Sequence, residues 1–224
     1  MAILTNILHR WTLPPERNFG WKMKPLESAI TNFTIDKDGV FILTIEHDPI
    51  CGVTPKMLLW WFQNIGGEMT YEGKTYPKYL VWHPKDHIHW NLINNSSNSE
   101  IGPGSHFRIV EALDRNMNFL IDSIEIVEKL DETGIRLIRK IGSIEVFSLQ
   151  HDFIQNGSNT IYKSKMIVGT NKAIGKVFNS FVRPLIFSKE MGAAWLKHNI
   201  EEVGNFEFFL PELYDLESRN PQIQ

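Results

Sequence analysis

The stretch NFLIDSIEIVEKLDETGIRLIRKIGSIEVFSLQHDF, residues 118–153, decides the fold. Apolar and polar residues alternate through it with the two-residue period of a half-buried strand. Turn-forming residues interrupt the pattern at Asp131 to Gly134 and at Gly142. Connections this short join antiparallel neighbours and leave no room for a crossover helix. HFRIVEAL (106–113) before it and NTIYKSKMIVG (159–169) after it read the same way, bounded by Asp114 to Asn118 and by Asn156-Gly157-Ser158. The expectation is a five-strand antiparallel meander.

Upstream, FTI (33–35) and VFILTIE (40–46) flank the turn Lys37-Asp38-Gly39 and read as a hairpin. Thr54-Pro55 is an N-cap followed by a proline at the first helical position, and it opens the run KMLLWWFQNI, which stops at Gly66-Gly67. Downstream, the pattern turns helical from Asn171. One segment is expected to run to about Val182, ahead of Pro184, and a second from about Ser188 to Phe208, ahead of Pro211. The reading is one α+β domain over 1–224, in which a curved antiparallel sheet wraps a long C-terminal helix and encloses a cavity. The first thirty or so residues are expected to be peripheral and 215–224 a polar tail. Apolar residues at the N-terminus and in LLWWF (58–62) suit either a homodimer contact or the core.

The formal net charge of -3 and pI near 6.2 provide no basic excess for a phosphate backbone, so nucleic acid is not an expected partner. No apolar run reaches the roughly 20 residues of a membrane span, and the N-terminus lacks the features of a signal peptide. Cys51 is the single cysteine, which rules out an intrachain disulfide or a cysteine-based zinc cluster. A cytoplasmic protein is expected, in which any metal is held by His, Asp and Glu.

In AAWLKHNIEEVGNF (193–206), His198 and Glu202 lie four residues apart, on the helix face that also carries Met191, Trp195 and Phe206. Polar groups on a core-facing stripe are costly unless paired or bound to metal. A surface i, i+4 pair is the plain alternative, and Glu201 is a geometric substitute for Glu202. In HFRIVEAL, Glu111 falls on the face of Phe107, Ile109 and Leu113, where an apolar residue is expected unless a bulge rotates it outward. The run KYLVWHPKDHIHW (78–90) gathers His83, His87 and His89 with Asp86, and Pro84 breaks strand pairing there. Tyr76, Tyr79 and Tyr162 are among the aromatics that suit a pocket for a planar ligand. Serine-nucleophile, phosphate-loop and dinucleotide motifs are absent from the sequence.

WHPKDH (82–87), the Glu111 strand and HNIEEVGNFEFFLPELY (198–214) together resemble the 2,4-diacetylphloroglucinol hydrolase family, which includes phloretin hydrolase. The resemblance spans residues 50 to 214. It implies a helix-grip fold, like that of pollen allergens, holding one zinc ion through His83, Glu111, His198 and Glu202. It places Asp86 where the family contacts substrate, and makes Tyr76, Tyr79 and Tyr162 candidate holders of phenolic oxygens. His151 is a candidate acid or base, as are Asp86 and His87. The implied activity is hydrolysis of the carbon-carbon bond between a phenolic ring and an acyl group of an aromatic ketone. A non-enzymatic carrier of an aromatic or lipid ligand, and a metal hydrolase acting on another bond of a phenolic substrate, are the alternatives.

Overall fold

The computed structural model describes residues 11–94, 101–173 and 175–218. Strands β1 (Ala29–Ile35) and β2 (Phe41–His47) precede helix α1 (Pro55–Asn64). A two-stranded ribbon, β3 (Glu68–Tyr71) with β4 (Lys74–Pro77), leads into the short helix α2 (Lys78–Trp82). Then come β5 (His87–Asn94), β6 (His106–Ala112), β7 (Leu120–Asp131), β8 (Gly134–Ile141), β9 (Ile144–Asn156) and β10 (Asn159–Val168), and the chain closes on helix α3 (Lys189–Ser218). The large sheet has eight strands in the order β1-β2-β10-β9-β8-β7-β6-β5, all pairs antiparallel.

The expected hairpin, meander and α1 are present. Thr54 caps α1 by accepting a hydrogen bond from Met57 N at 3.4 Å, with Pro55 at its first position. Leu58, Trp61 and Phe62 of LLWWF are buried in the core, and Trp60 meets Tyr214 edge-on. Within the N-terminal segment Phe19 reaches the core, packed among Trp21, Tyr71 and Tyr76, while the other residues of 11–30 are half-buried or exposed. Residues 1–10 and 219–224, where parts of the dimer and polar-tail expectations fall, lie outside the described residues.

Helix α3 differs from expectation because it continues through Pro211. A proline inside a helix removes one backbone hydrogen bond at a cost of about 3 kcal/mol. The turn beyond it stays helical because tertiary contacts hold it: Leu210 and Leu213 are buried, and Glu217 pairs with the buried Lys78 at 2.7 Å. Close approach of α3 to β1 needs Gly192, where a Cβ would stand 2.8 Å from the Phe33 ring. Among the described residues, no helix is long and apolar enough to cross a membrane.

Candidate metal centre

Three elements bring the site together. His87 opens β5 directly opposite Glu111 of β6, so both side chains leave the same face of the sheet. A register shift follows between His87 and His89, which sends His89 to Asn91 and the Trp11 ring instead. Helix α3 supplies His198 and Glu202. It is tied to α2 by Trp82 Nε1, which donates to the Glu202 carbonyl at 2.8 Å, and by Asn205 Nδ2, which donates to the Trp82 carbonyl at 2.9 Å.

The four side chains converge. His87 Nε2 lies 3.6 Å from Glu111 Oε2 and 3.5 Å from Glu202 Oε2, and His198 Nε2 lies 3.4 Å and 3.7 Å from the same two oxygens. Neighbouring ligands of a tetrahedral zinc site with bonds of about 2.0–2.1 Å are about 3.3 Å apart, close to all four separations. The other ring nitrogens are committed: His87 Nδ1 donates to the Tyr79 carbonyl at 2.7 Å, and His198 Nδ1 donates to Asp86 Oδ2 at 3.0 Å. Histidines that bind metal are held this way, by a carbonyl or carboxylate on the far nitrogen. His87 Nε2 is buried with no hydrogen-bond partner. Two imidazole nitrogens and two carboxylate oxygens suit a borderline-soft dication, so the residues fit zinc.

The electrostatics point the same way. Burial works against a charged His198, but Glu111, Asp86 and Glu202 outweigh it and hold its pKa well above the ordinary value. Burial would raise Glu111, yet His198 and His87 keep it below the usual carboxylate range. This pocket draws positive charge.

Two groups of side chains here could hold a metal ion, His87 with His198 and Glu202, and His83 with Asp86 and His198. His83, expected as a ligand, takes a hydrogen bond from Asp86 N on Nδ1 at 3.1 Å and faces Glu201 Oε2 with Nε2 at 3.2 Å. His87, expected as an acid or base, is the histidine that converges on Glu111 and Glu202. The spacing in HPKDH does not show which of the two histidines begins the strand opposite Glu111; the pairing shows it to be His87. Asp86, expected to act on water or substrate, is fully engaged: its oxygens also accept from Asp114 N at 3.0 Å and Arg115 N at 3.1 Å. Despite burial, these contacts and His198 hold its pKa well below the usual range.

A cavity of about 660 Å³ opens beside the four side chains, lined by Tyr79, Trp82, Glu111, His151, His198 and Glu202 among largely apolar neighbours. Tyr79 stacks on His87 at 3.8 Å between centroids and donates its hydroxyl to Glu111 Oε2 at 3.1 Å. Tyr162 is buried with its hydroxyl unpartnered, and its ring meets those of His47 and His151. Tyr76 is not brought to the site; it packs on Phe19.

Ser164, His47 and Asn199, which no motif or periodicity singles out, complete the surroundings. Ser164 Oγ lies 2.9 Å from both His151 Nδ1 and His47 Nε2. Asn199 Nδ2 donates to Glu202 Oε1 at 2.6 Å. Burial lowers the pKa of both His47 and His151 to about 3, so both are neutral near pH 7.

No family model and no curated protein sequence matches the chain. Solved structures of similar shape include Ara h 8.0201, at 12% identity and a TM-score of 0.47 over 77% of this chain and 99% of that one. Protein Ms6760 from Mycobacterium smegmatis is 9% identical with a TM-score of 0.47, covering 83% of this chain and 99% of its own. EF2215 from Enterococcus faecalis, described as a conserved protein of unknown function, is 10% identical with a TM-score of 0.42, covering 85% and 91%.

Proposed function

We propose that this chain is a zinc-dependent hydrolase of helix-grip architecture that cleaves the carbon-carbon bond between a phenolic ring and an acyl group. The observation that carries the reading is the convergence of His87, Glu111, His198 and Glu202, the last three of which line a large cavity, with His87 Nε2 left without a hydrogen-bond partner. When bound there, zinc supplies Lewis acidity, which polarises a carbonyl and lowers the pKa of a water toward neutrality.

The protein's own part is orientation and proton handling. Asp86 and the Tyr79 carbonyl fix the two imidazoles, and Tyr79 holds Glu111. Tyr79, Trp82 and Trp195 give the cavity flat walls against which an aromatic ring stacks and from which water is excluded. His151 is neutral and, with Nδ1 occupied by Ser164, has Nε2 left for substrate. It orients a ring hydroxyl, whose proton moves to the acyl-bearing carbon in the keto tautomer of the ring, so that the ring leaves as a stabilised enolate. In balance, water gives its hydroxyl to the acyl carbon and its remaining hydrogen to the ring, yielding a carboxylic acid and the deacylated phenol.

The test is to incubate zinc-loaded protein with acylphloroglucinols and quantify the carboxylic acid released, with His87→Ala as control. Acid release that depends on His87 supports the reading. The mostly apolar lining of the cavity favours a second one, a carrier of an aromatic ligand. Stoichiometric uptake without metal or product would establish that alternative.

A further inference from the structure

Strand β7 buries the wrong residues for a simple core. Ser123, Glu125 and Val127 face inward, whereas Ile124 on the opposite face is 47% exposed. A slip of one residue would bury the isoleucines and release the glutamate to water. The register is nevertheless held on both sides, by Phe107↔Glu125 with β6 and Ile126↔Ile138 with β8. The fold therefore spends burial on a carboxyl group that is only 5% exposed.

That carboxyl is half satisfied. Ser123 Oγ donates to Glu125 Oε1 at 3.0 Å, while Oε2 is buried without a partner. Both residues line the cavity with Trp90, Phe107 and Leu137. An unpaired buried polar atom costs on the order of 1–3 kcal/mol, and neither Arg139, which lines the same cavity and acts on Glu125 only by charge, nor the indole N–H of Trp90 hydrogen-bonds it. A ligand in the cavity can do so.

We infer that Ser123 and Glu125 form a second polar subsite, separate from the four converging side chains, which binds a hydroxyl group of an aromatic ligand through Glu125 Oε2. The inference deepens the proposed function by assigning ring-hydroxyl recognition to β7, and it rests on that reading only in taking the cavity as the substrate site. A carboxyl oxygen accepts from a phenolic O–H or, when protonated, donates to its oxygen, so a hydroxyl satisfies it in either state. A ring substituent without hydrogen-bonding capacity leaves Oε2 unpaired, so the subsite discriminates as well as binds.

The experiment measures binding of 2,4,6-trihydroxyacetophenone and of acetophenone by quenching of tryptophan fluorescence, in wild type, Glu125→Gln and Glu125→Leu. Zinc content is measured on the same samples. The wild type is expected to prefer the hydroxylated probe. Glu125→Leu should lose about tenfold or more of that preference, and Glu125→Gln, which keeps a donor and an acceptor, should retain most of it. Unchanged zinc content and folding, checked by circular dichroism, locate the loss at the subsite. Equal preference in wild type and Glu125→Leu, or no preference in the wild type, overturns the inference. If hydroxyl selectivity depends on Glu125 but no aryl ketone is hydrolysed, the proposed reaction fails and the subsite stands.

Discussion

His87 and Glu111 are direct cross-strand neighbours on β5 and β6, and their Nε2 and Oε2 atoms are 3.6 Å apart. Sheet pairing, before any ligand is considered, thus sets one histidine beside a carboxylate that lines the cavity. Helix α3 brings the second such pair, one helical turn apart, to meet it.

This arrangement separates two histidines that sequence spacing alone does not. Replacing His87 with Ala removes a converging donor, and zinc affinity should fall by at least a hundredfold. His83→Ala removes a ring that stacks on His198 at 4.4 Å and pairs with Glu201, outside the converging set. That variant should hold zinc within about tenfold of wild type. Competition with a chromogenic chelator measures both, and tighter dependence on His83 than on His87 would refute the assignment.

Asp86 acts on the centre through His198. Partners of this kind are typically worth 10–100-fold in metal affinity or activity. Asp86→Asn keeps the size of the side chain but replaces an anionic acceptor, so zinc affinity should drop about tenfold while the protein remains folded. Loss of folding instead would mean that the main role of Asp86 is to hold the backbone of Asp114 and Arg115.

The long helix shows where sequence reading stops. Its inward stripe of Met191, Trp195, His198, Glu202 and Phe206 was legible because helical periodicity is local, and all five are buried. So were the five strands from β6 to β10, whose alternation and turns lie within each hairpin. The end of the helix was not, because proline predicts a stop and only packing against distant Trp60 and Lys78 overrides it. The choice of His87 over His83, and the Ser164 link between His47 and His151, likewise depend on contacts between remote elements. From this account, Pro211→Ala should restore a backbone hydrogen bond and stabilise the protein by about 1–3 kcal/mol. A higher midpoint in denaturant with unchanged slope would bear this out. A lower one would show that the proline ring itself is needed in the packing.

The two buried imidazoles away from the converging set should shape the acid limb of stability. His47 and His151 have pKa values near 3 in the folded chain because burial disfavours their charged forms, against 6.5 as the ordinary value. Between those values the unfolded chain binds more protons, so stability rises with pH across the window and is lost as pH falls from 6.5 toward 3. His47→Asn should flatten that limb in equilibrium denaturation followed from pH 4 to pH 7. An unaltered limb would mean that His47 is protonated in the folded protein.

Glu125 should tilt the neutral limb in the opposite direction. Burial raises its pKa from 4.5 to about 7, helped by Glu111 and opposed by Ser123 and Arg139. Between pH 4.5 and 7 the folded chain therefore holds a proton that the unfolded chain has released, and stability falls as pH rises through that window. At about 1.4 kcal/mol per unit, the full effect above pH 7 is on the order of 3 kcal/mol. Glu125→Gln has no proton to lose and should be more stable than wild type by about this amount at pH 8, with the difference shrinking toward pH 5. Parallel urea titrations at the two pH values decide the matter. A constant difference would show that Glu125 does not titrate in this range, and a wild type that is the more stable at pH 8 would show its carboxylate to be paired and charged in the fold.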